Sequence, residues 1–462
     1  MKAYNLEAMP VSPARSAAFD VLLRVDRESS YASDLLRSSA HDSLSTPDHA
    51  LATELVMGVL RWRSRLDAEI ATAASQPLSK LDLEVLIALR LALYQFLWLD
   101  RIPQRAALHE SVELVKRARK RSAAPFVNAV LRKLSATQRN VAAPARDNTA
   151  SPETLARTLA HPLWLVEHWT RQYGLSAARQ ICQYDQSIPT TAIRLRSPLA
   201  EHQLIQEGII LNPGALLASA RRVLNGDVTK TQAFRAGHAV IQDEASQLVA
   251  ALVGHSVVGE GSRILDCCAA PGGKTLAIAD HNPAASITAV ELHAHRARLL
   301  QKRLHSHPSE SGRIQIVTAD ARHLPLSRLF AHVLADVPCS GTGTLARNPE
   351  IKWRLTLDDL AELAQRQCAI LRSALAQVAP GGRLIYSTCS LEKEENENVV
   401  ERALSEDKSF RLLDCRTELV RLKDTAHLTW PDPATLTRGP YLRTIPGIHP
   451  GDGFFAAVLE RI

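Results

Sequence analysis

The chain has 462 residues, too many for one ordinary domain and enough for two or three. Hydrophobic residues make up 46% and charged residues 22%, a composition typical of globular proteins with sizeable cores rather than of disordered chains. The net charge of +7 favours a polyanionic partner, although many basic proteins bind no nucleic acid.

The sequence predicts neither a signal peptide nor a membrane span. Residues 1–28 alternate apolar and charged positions and lack a continuous apolar core. The stretch 81–99 is the most apolar, but it carries charged residues that are costly in hydrocarbon, so a buried helix is expected there. Seven cysteines in so long a chain, two of them adjacent at Cys267 and Cys268, do not indicate a disulfide framework. We expect a reduced, cytoplasmic, monomeric protein.

The first 135 residues are predicted to form an all-helical domain, because apolar residues recur at helical spacing around 51–60 and fill the stretch 81–99. A polar stretch at 136–150 has no clear period and is interpreted as a linker. It ends at Ser151-Pro152, the pattern of a helix start with serine as N-cap. Residues 151–237 are expected to form a small α+β region with a helix at 161–184 and a strand at 191–195.

Residues 238–462 are predicted to form a Rossmann-like α/β domain. Short apolar runs alternate with helical stretches, which is the pattern of a parallel, doubly wound sheet. The predicted strands are 263–266, 286–290, 314–318, 332–335 and 383–386, with a late strand at 453–459.

The turn after the first of these strands has the features of a nucleotide-binding loop. In open α/β sheets, ligands bind beyond the carboxyl ends of the strands, and the first turn needs glycines so that backbone can approach the ligand. A P-loop is disfavoured because Cys268 occupies the position of its first glycine, and the G-x-G-x-x-G pattern of dinucleotide folds is absent. The favoured ligand is S-adenosylmethionine. The turn residues expected to hold it are Cys268, Ala269, Ala270, Pro271, Gly272, Gly273 and Lys274.

Acidic residues at the ends of successive strands support this cofactor. Asp266 ends the first strand, and Glu291 ends the second, where a carboxylate binds ribose hydroxyls in dinucleotide sites. Asp320 follows the third strand, where it could accept from the adenine amino group, and Asp336 follows the fourth. Single carboxylates are common at helix starts, but four in register are harder to explain as caps.

Two cysteines are predicted to share this rim of the sheet. Cys339 follows the fourth strand in a Pro-Cys-Ser-Gly loop, and Cys389 follows the fifth in a Thr-Cys-Ser loop. Both loops are polar, whereas free cysteines on apolar faces usually pack in cores. That packing role is expected for Cys182, Cys368 and Cys415. A zinc site is disfavoured because the sequence has no C-x-x-C pair and no H-x-x-x-H on a helix, so no metal is predicted.

Thiols beside a methyl donor indicate what is methylated. Carbon-5 of cytosine is a weak nucleophile, but a thiolate that adds to carbon-6 turns carbon-5 into an enamine-like centre that can attack the methyl group. Such a cysteine needs a lowered pKa and a base or acid nearby. The spacing alone does not decide whether Cys339 or Cys389 attacks.

The second half of the chain resembles the RNA 5-methylcytosine methyltransferases. The matching segments are 240–248, 268–275, 336–343, 349–353, 386–391, 394–396 and 451–455. The resemblance implies that Cys389 is the nucleophile and that Cys339 assists release of the methylated RNA. It also implies that Lys274 and Asp336 contact either the target cytosine or the methionine end of the cofactor. Cytosine DNA methyltransferases place their nucleophile in the Pro-Cys loop instead.

The N-terminal region is similar to NusB-type RNA-binding domains, through residues 14–22, 51–61, 107–112 and 126–131. A NusB-type domain ahead of this catalytic domain resembles the bacterial 16S ribosomal RNA (cytosine-5)-methyltransferases of the RsmB/Sun/Fmu type. The resemblance implies ribosomal RNA as the partner. Transfer RNA as the substrate, and a non-catalytic RNA-binding role in assembly, stay as alternatives.

Two groups of basic residues are candidates for holding RNA. Residues 101–133 include nine Lys or Arg and two Glu, densest at 116–121, which fits either a solvated helix face or a phosphate-binding surface. Arg347, Lys352, Trp353 and Arg354 follow the Pro-Cys loop and are expected to hold nucleotides, with packing an equal alternative for Trp353. Because the target base must leave its stack, we predict a single-stranded loop or bulge as the substrate.

Overall fold

The structure is a computed structural model that describes residues 11–137, 151–254, 261–305 and 312–462. The chain forms two compact units. The first unit comprises Met1–Ser187 and Leu345–Arg354, and the second comprises Ile188–Thr344 and Leu355–Ile462. The domain boundaries predicted at 135, 150 and 237 stay predictions, and residues 138–150 of the predicted linker lie outside the described residues.

The first unit is helical in its described residues. Its helices before residue 188 are α1 (Pro13–Glu28), α2 (Ala32–Leu36), α3 (Thr46–Ala73), α4 (Leu83–Trp98), α5 (Gln104–Arg117), α6 (Ala124–Thr137), α7 (Pro152–Thr158), α8 (Leu163–Tyr173) and α9 (Leu175–Asp185). The most apolar of them, α4, lies in the core with Leu89, Leu91 and Leu93 fully buried. Even so, within the described ranges no helix combines the length and apolarity needed to cross a bilayer.

The helix starts and breaks of this unit follow local sequence rules. As predicted, Ser151 caps α7 by accepting a hydrogen bond from the N–H of Thr154, and proline follows it. The single helix predicted at 161–184 is wrong, because the chain forms α8 and α9 instead. Gly174 between them has a φ of 85°, a conformation that glycine adopts readily and that interrupts a right-handed helix.

The second unit contains two sheets. The smaller one is antiparallel with the strand order β2-β3-β1-β4, and the larger one has the order β11-β12-β13-β9-β8-β5-β6-β7, with β10 paired to β13. The elements in chain order are β1 (Thr191–Leu195), α10 (Pro198–Gln206), β2 (Ile210–Pro213), β3 (Ala220–Asn225), α11 (Gln232–Arg235), β4 (Ala239–Ile241), α12 (Glu244–Gly254), β5 (Arg263–Asp266), α13 (Gly273–His281), β6 (Ser286–Glu291), α14 (Ala294–His305), β7 (Ile314–Thr318), β8 (Phe330–Asp336), α15 (Ile351–Arg354, part of the first unit), α16 (Leu357–Leu375), β9 (Val378–Thr388), α17 (Glu397–Glu406), β10 (Phe410–Leu413), α18 (Cys415–Asp424), β11 (Thr437–Arg438), β12 (Tyr441–Arg443) and β13 (Phe455–Arg461).

The order of the large sheet places three loops side by side. Strands β7, β6, β5, β8 and β9 are parallel, and β13 pairs antiparallel with β9. The chain moves outward from β5 to β7 and then returns to β8, so the order reverses between β5 and β8. The carboxyl ends of β5, β8 and β9 therefore lie at the switch point where open α/β sheets bind ligands. Neighbouring residues Ile264 and Leu265 belong to different apolar clusters of this unit, as expected of a strand buried on both faces.

These features confirm the predicted fold class, an all-helical N-terminal region followed by a Rossmann-like α/β domain. Each strand predicted between 263 and 459 is present, although β8 and β9 extend beyond the runs that predicted them and β13 lies two residues later than the strand predicted at 453–459.

Candidate active site

The turn between β5 and α13 contains the residues predicted to bind the cofactor. Gly272 has a φ of 102°, and a Cβ at this position would lie 2.5 Å from Cδ1 of Leu300, so the turn requires glycine. The N–H of Gly272 donates to the carbonyl of Ala269, whose own N–H donates to the carbonyl of Val290 in β6. Because α13 begins at Gly273, the positive end of its dipole lies at this turn.

Carboxylates from four strand ends lie around the turn. Burial raises the pKa of the Cys268 thiol well above its usual value, and four carboxylates add to that effect. They are Asp266, Asp336, Glu291 and Asp320. S-adenosylmethionine presents an ammonium group, two ribose hydroxyls and an adenine amino group, all of which donate hydrogen bonds. A ring of acceptors beside a glycine turn therefore fits this cofactor.

The individual carboxylates differ in their local partners. Asp266 is buried, accepts a hydrogen bond from Oγ1 of Thr275 at 2.7 Å, and has its pKa raised to about 6, mainly by burial. Glu291 is buried and accepts from the N–H of His293. Asp320 caps a short helical turn and pairs with Arg322, whose hydrogen bonds lower the pKa of the carboxyl. A local capping role therefore applies to Asp320.

Lys274 and Asp336 form an ion pair at this rim. Nζ of Lys274 lies 2.8 Å from Oδ2 of Asp336 and 4.9 Å from the ring centre of Phe454. Oδ1 of Asp336 accepts from the hydroxyl of Ser387, so both its oxygens bind side chains, and the alternative of a helix cap is not supported. Burial lowers the pKa of Lys274, but the charges of Asp336 and of Cys389 outweigh that effect and raise it above its usual value.

The two predicted cysteines meet at the ends of β8 and β9. Sγ of Cys339 lies 3.3 Å from Sγ of Cys389. The hydrogen bond with Cys389, burial and the nearby charge of Glu395 together raise the pKa of Cys339 well above its usual value. The loops are held by backbone, because Gly343 donates its N–H to the carbonyl of Cys389 and accepts from the N–H of Gly453.

The other cysteines have the surroundings expected of core residues. All seven carry free thiols. Cys182, Cys368 and Cys415 are buried, as predicted. Cys267, to which no role was assigned from the sequence, is also buried, and it packs in the core beside β8 while its N–H donates to the carbonyl of Leu334.

The segment after the Pro-Cys loop corrects one prediction. Lys352 is 1% exposed, its Nζ donates to the carbonyl of Arg61, and burial lowers its pKa to about 7. Nε1 of Trp353 donates to the carbonyl of Leu60, and the guanidinium of Arg354 donates to carbonyls at the end of α1. The burial of Lys352 contradicts the nucleotide-holding role expected of it. Trp353 and Arg354 are half-buried, so that role stays a prediction for them, and the hydrogen bond of Trp353 favours its packing alternative.

The basic run at 116–121 is partly neutralised. Lys116 pairs with Glu113, Arg117 with Asp20, and Lys120 with Asp82. In the part of the chain that the structure describes, Arg119 and Arg121 are exposed and have no ion pair. The paired residues fit the interpretation of a solvated helix face, and phosphate binding stays a prediction for Arg119 and Arg121.

Sequence reasoning missed two residues of the site. Glu395 and Phe454 lie within segments that carried the family resemblance, but no role was assigned to either. Glu395 is a buried acid in a charged stretch, and nothing in the local pattern distinguishes it from Glu394, which is half-exposed. Phe454 precedes a strand and has the pattern of an ordinary core residue.

A mainly parallel, mixed sheet with this strand order, a glycine turn and a ring of carboxylates defines the second unit as an S-adenosylmethionine-dependent methyltransferase domain. A NusB family model matches residues 12–136, and a model described as 16S rRNA methyltransferase RsmB/F matches residues 257–460. The chain belongs to this family of RNA methyltransferases, with S-adenosyl-L-methionine as the cofactor.

Relatives and solved structures agree with this assignment. The chain is 35% identical over 416 residues to a Bacillus subtilis protein named "Probable ribosomal RNA small subunit methyltransferase B", covering 87% of this chain and 90% of that protein. It is 31% identical over 432 residues to ribosomal RNA small subunit methyltransferase B of Vibrio cholerae, covering 92% of each. A crystal structure of PH0851 superposes with a TM-score of 0.80 at 23% identity, covering 98% of this chain and 100% of that one, which shows the fold.

Proposed function

We propose that this protein transfers a methyl group from S-adenosylmethionine to carbon-5 of a cytosine in 16S ribosomal RNA, through a covalent cysteine–cytosine adduct. The observation that supports it best is the pair of thiols 3.3 Å apart at the carboxyl ends of β8 and β9. Methyl transfer to an exocyclic nitrogen would need no thiol. Carbon-5 does need one, because it becomes nucleophilic only after a group has added to carbon-6.

Cys389 attacks in this proposal, as the family resemblance implies. Its thiolate adds to carbon-6 and forms an Sγ–C6 bond, and the electron pair on carbon-5 then forms the new bond to the methyl carbon. Bound S-adenosylmethionine supplies that methyl group in electrophilic form. The thiolate of Cys339 then takes the carbon-5 proton, and the Sγ–C6 bond breaks, which releases the product and restores the Cys389 thiolate. Lys274 supports the first step, because its ammonium lies close enough to Cys389 to stabilise a thiolate.

Cys339 and the Lys274–Asp336 ion pair have different roles in the proposed reaction. The hydrogen bond with Cys389 and the charge of that thiolate raise the pKa of Cys339 and keep it a thiol while Cys389 attacks. Once the Cys389 sulfur is bonded to carbon-6 both effects end, so Cys339 can lose its proton to solvent and then accept the carbon-5 proton. This fits its assistance in the release steps. Lys274 of the cofactor turn pairs with Asp336 at the end of β8, the strand that leads to Cys339. In this proposal the pair contacts the target cytosine or the methionine end of the cofactor.

The substrate is proposed to be an unpaired segment of the RNA. Carbon-6 can meet a thiol at this rim only if the base has left its stack, which costs about a few kcal/mol and least in a loop or bulge. The NusB-type unit supplies the exposed arginines Arg119 and Arg121 for phosphate contacts.

Substitution of each cysteine tests the mechanism. Cys389→Ala should lower methyl incorporation into 16S RNA by at least about 1000-fold while RNA binding persists. Cys339→Ala should instead let a protein–RNA adduct accumulate, visible as a band that survives denaturation. Cys368→Ala, a buried thiol outside the site, is the matched control and should do neither. Substantial turnover by the Cys389 variant would refute the nucleophile, and absence of an adduct would refute the release role.

A further inference from the structure

One buried carboxylate joins the two cysteine loops, and the chemistry above involves it only through the effect of its charge on Cys339. Glu395 lies in a short helical turn (Lys393–Glu395) behind the Thr-Cys-Ser loop, and its side chain is fully buried. Its Oε2 accepts hydrogen bonds from the hydroxyls of Ser340 and Ser390, each at 2.5 Å. Ser340 directly follows Cys339, and Ser390 directly follows Cys389. A single side chain therefore holds the residue next to each thiol.

The second oxygen of this carboxylate extends the link. Oε1 of Glu395 accepts from the N–H of Ser340 and from Nε2 of Gln367, both at 2.8 Å. Nε2 of Gln367 also donates to the carbonyl of Pro338, on the other side of Cys339. The Pro-Cys loop is thus tied at both ends to the same carboxylate and to α16.

The groups around Glu395 require a partner that only accepts. A backbone N–H and the side-chain nitrogen of Gln367 can only donate, and the two serine hydroxyls rotate to donate as well. A carboxylate satisfies all four donors, whereas the amide of a glutamine would direct N–H toward at least one of them. The arrangement is therefore specific for the charge and not only for the volume of the side chain.

The next residue, Asn396, makes further hydrogen bonds to the loop that carries Cys389. Oδ1 of Asn396 accepts a hydrogen bond from the hydroxyl of Thr388, and its Nδ2 donates to the carbonyl of Ser390. Asn396 therefore bonds to the residues on both sides of Cys389. It makes no hydrogen bond to the Pro-Cys loop among those formed by the described residues. The link between the two loops through a side-chain carboxylate belongs to Glu395.

We propose that Glu395 is a positioning residue for methyl transfer, which cross-links the Pro-Cys and Thr-Cys loops and thereby sets the spacing of the two thiols. This inference rests on the proposed function, because it assumes that both thiols act on one base. A displacement of about 1 Å between reacting groups can cost about 100-fold in rate. Loss of the link should therefore affect the chemical step and leave substrate binding largely intact.

The first test separates kcat from KM. Glu395→Gln should lower kcat by about 100-fold, while the KM for RNA and the dissociation constant for S-adenosylmethionine change by less than about twofold. Glu244→Gln is the matched control, because Glu244 is equally buried and accepts from the N–H groups of Ala215, Leu216 and Leu217, far in sequence from either cysteine. An equal loss of kcat in the control would show general destabilisation and overturn the proposal.

A second test probes the distance between the thiols of Cys339 and Cys389 and does not depend on methyl transfer. Dibromobimane bridges two thiols only when they are close together, and peptide mass spectrometry identifies which cysteines it has joined. The Cys339–Cys389 bridge should form readily in the unmodified protein and in Glu244→Gln, and at least about 10-fold more slowly in Glu395→Gln. An unchanged rate in Glu395→Gln would overturn the proposal. Because this readout is independent of catalysis, it stands even if the Cys389→Ala result refutes the proposed function.

A milder variant covers the case in which Glu395→Gln does not fold. Ser340→Ala combined with Ser390→Ala removes two of the four donors and leaves the buried carboxylate bonded to the N–H of residue 340 and to Gln367. We expect a bridging rate and a kcat that lie between those of the unmodified protein and those predicted for Glu395→Gln. Values equal to those of the unmodified protein would refute the cross-link.

Discussion

Burial controls the charge state of individual residues in this molecule, and Asp266 shows the consequence most directly. Its carboxyl group ends β5, is 1% exposed, and has a pKa of about 6, raised mainly by desolvation. A carboxyl group in an unfolded chain titrates near 4. The folded state therefore holds the proton more tightly than the unfolded state, and stability falls as the pH rises through the interval between the two values.

Asp266→Asn should consequently stabilise the cofactor-free protein at alkaline pH. A shift of about 2 pKa units corresponds to about 3 kcal/mol at most, and about half of that penalty is already present at pH 5. The free energy of unfolding of the variant, relative to the unmodified protein, should thus rise by about 1 to 1.5 kcal/mol between pH 5 and pH 8. Urea denaturation at both pH values measures it, and a constant difference would contradict the assigned pKa. Calorimetry should show weaker binding of S-adenosylmethionine, because one acceptor has been lost.

The location of the site was predictable where a pattern of residue types is tied to one chemistry. The glycine turn, the strand-end acids and the two cysteines in polar loops were visible in the sequence, and the structure brings them to one rim. Lys352 was not predictable, since a lysine beside a tryptophan looks like an RNA contact, and only its tertiary partners show that it is buried. Glu395 was missed for the opposite reason, because an acid within a charged stretch is usually solvated.

At the scale of elements, apolar runs predicted the strands of the large sheet because parallel strands are buried on both faces. The break between α8 and α9 was missed because helical periodicity continues across Gly174, and a single positive φ is enough to end a helix. Strand pairing could not be derived from local pattern. The sheet order that places β8 beside β5 and β9 brings Cys339 to Cys389, and no segment of sequence encodes that contact by itself.

The loops that carry the thiols depend on a close approach of backbone at Gly343. A Cβ at this position would lie 2.2 Å from the carbonyl oxygen of Gly453 and 2.9 Å from that of Cys389. Gly343→Ala should therefore force the loops apart and lower methyl transfer by about 100-fold or more, with loss of the Cys339–Cys389 bridge formed by dibromobimane. Gly312→Ala is the control, because a Cβ added there would have no neighbour within 4 Å among the residues that the structure describes. This variant should keep both methyl transfer and the bridge. Normal methyl transfer by Gly343→Ala would contradict this prediction, because it would mean that catalysis does not depend on the close approach of the two loops.

For the molecule as a whole, the positive charge is distributed between paired and unpaired groups, and the unpaired ones are the better candidates for RNA. The net charge of +7 predicts attraction to a polyanion but not its location. In the first unit, Arg24 pairs with Glu28 and Arg27 with Glu84. Phosphate binding by these arginines would have to compete with their carboxylate partners, whereas Arg119 and Arg121 carry no such cost within the described residues.

Arg119→Gln combined with Arg121→Gln should therefore weaken RNA binding and reduce its dependence on salt. Each phosphate contact to a single strand contributes about 0.7 to the slope of log K against log salt concentration, so the slope should fall by about 1 to 1.5 if both arginines bind phosphate. Filter binding of the target RNA segment between about 50 and 200 mM salt, the range in which such slopes are resolved, provides the measurement. The control is Arg24→Gln with Arg27→Gln, which removes the same charge from paired positions and should change the slope by less than about half as much. Equal slopes in the two variants would mean that total charge, and not this surface, determines RNA affinity.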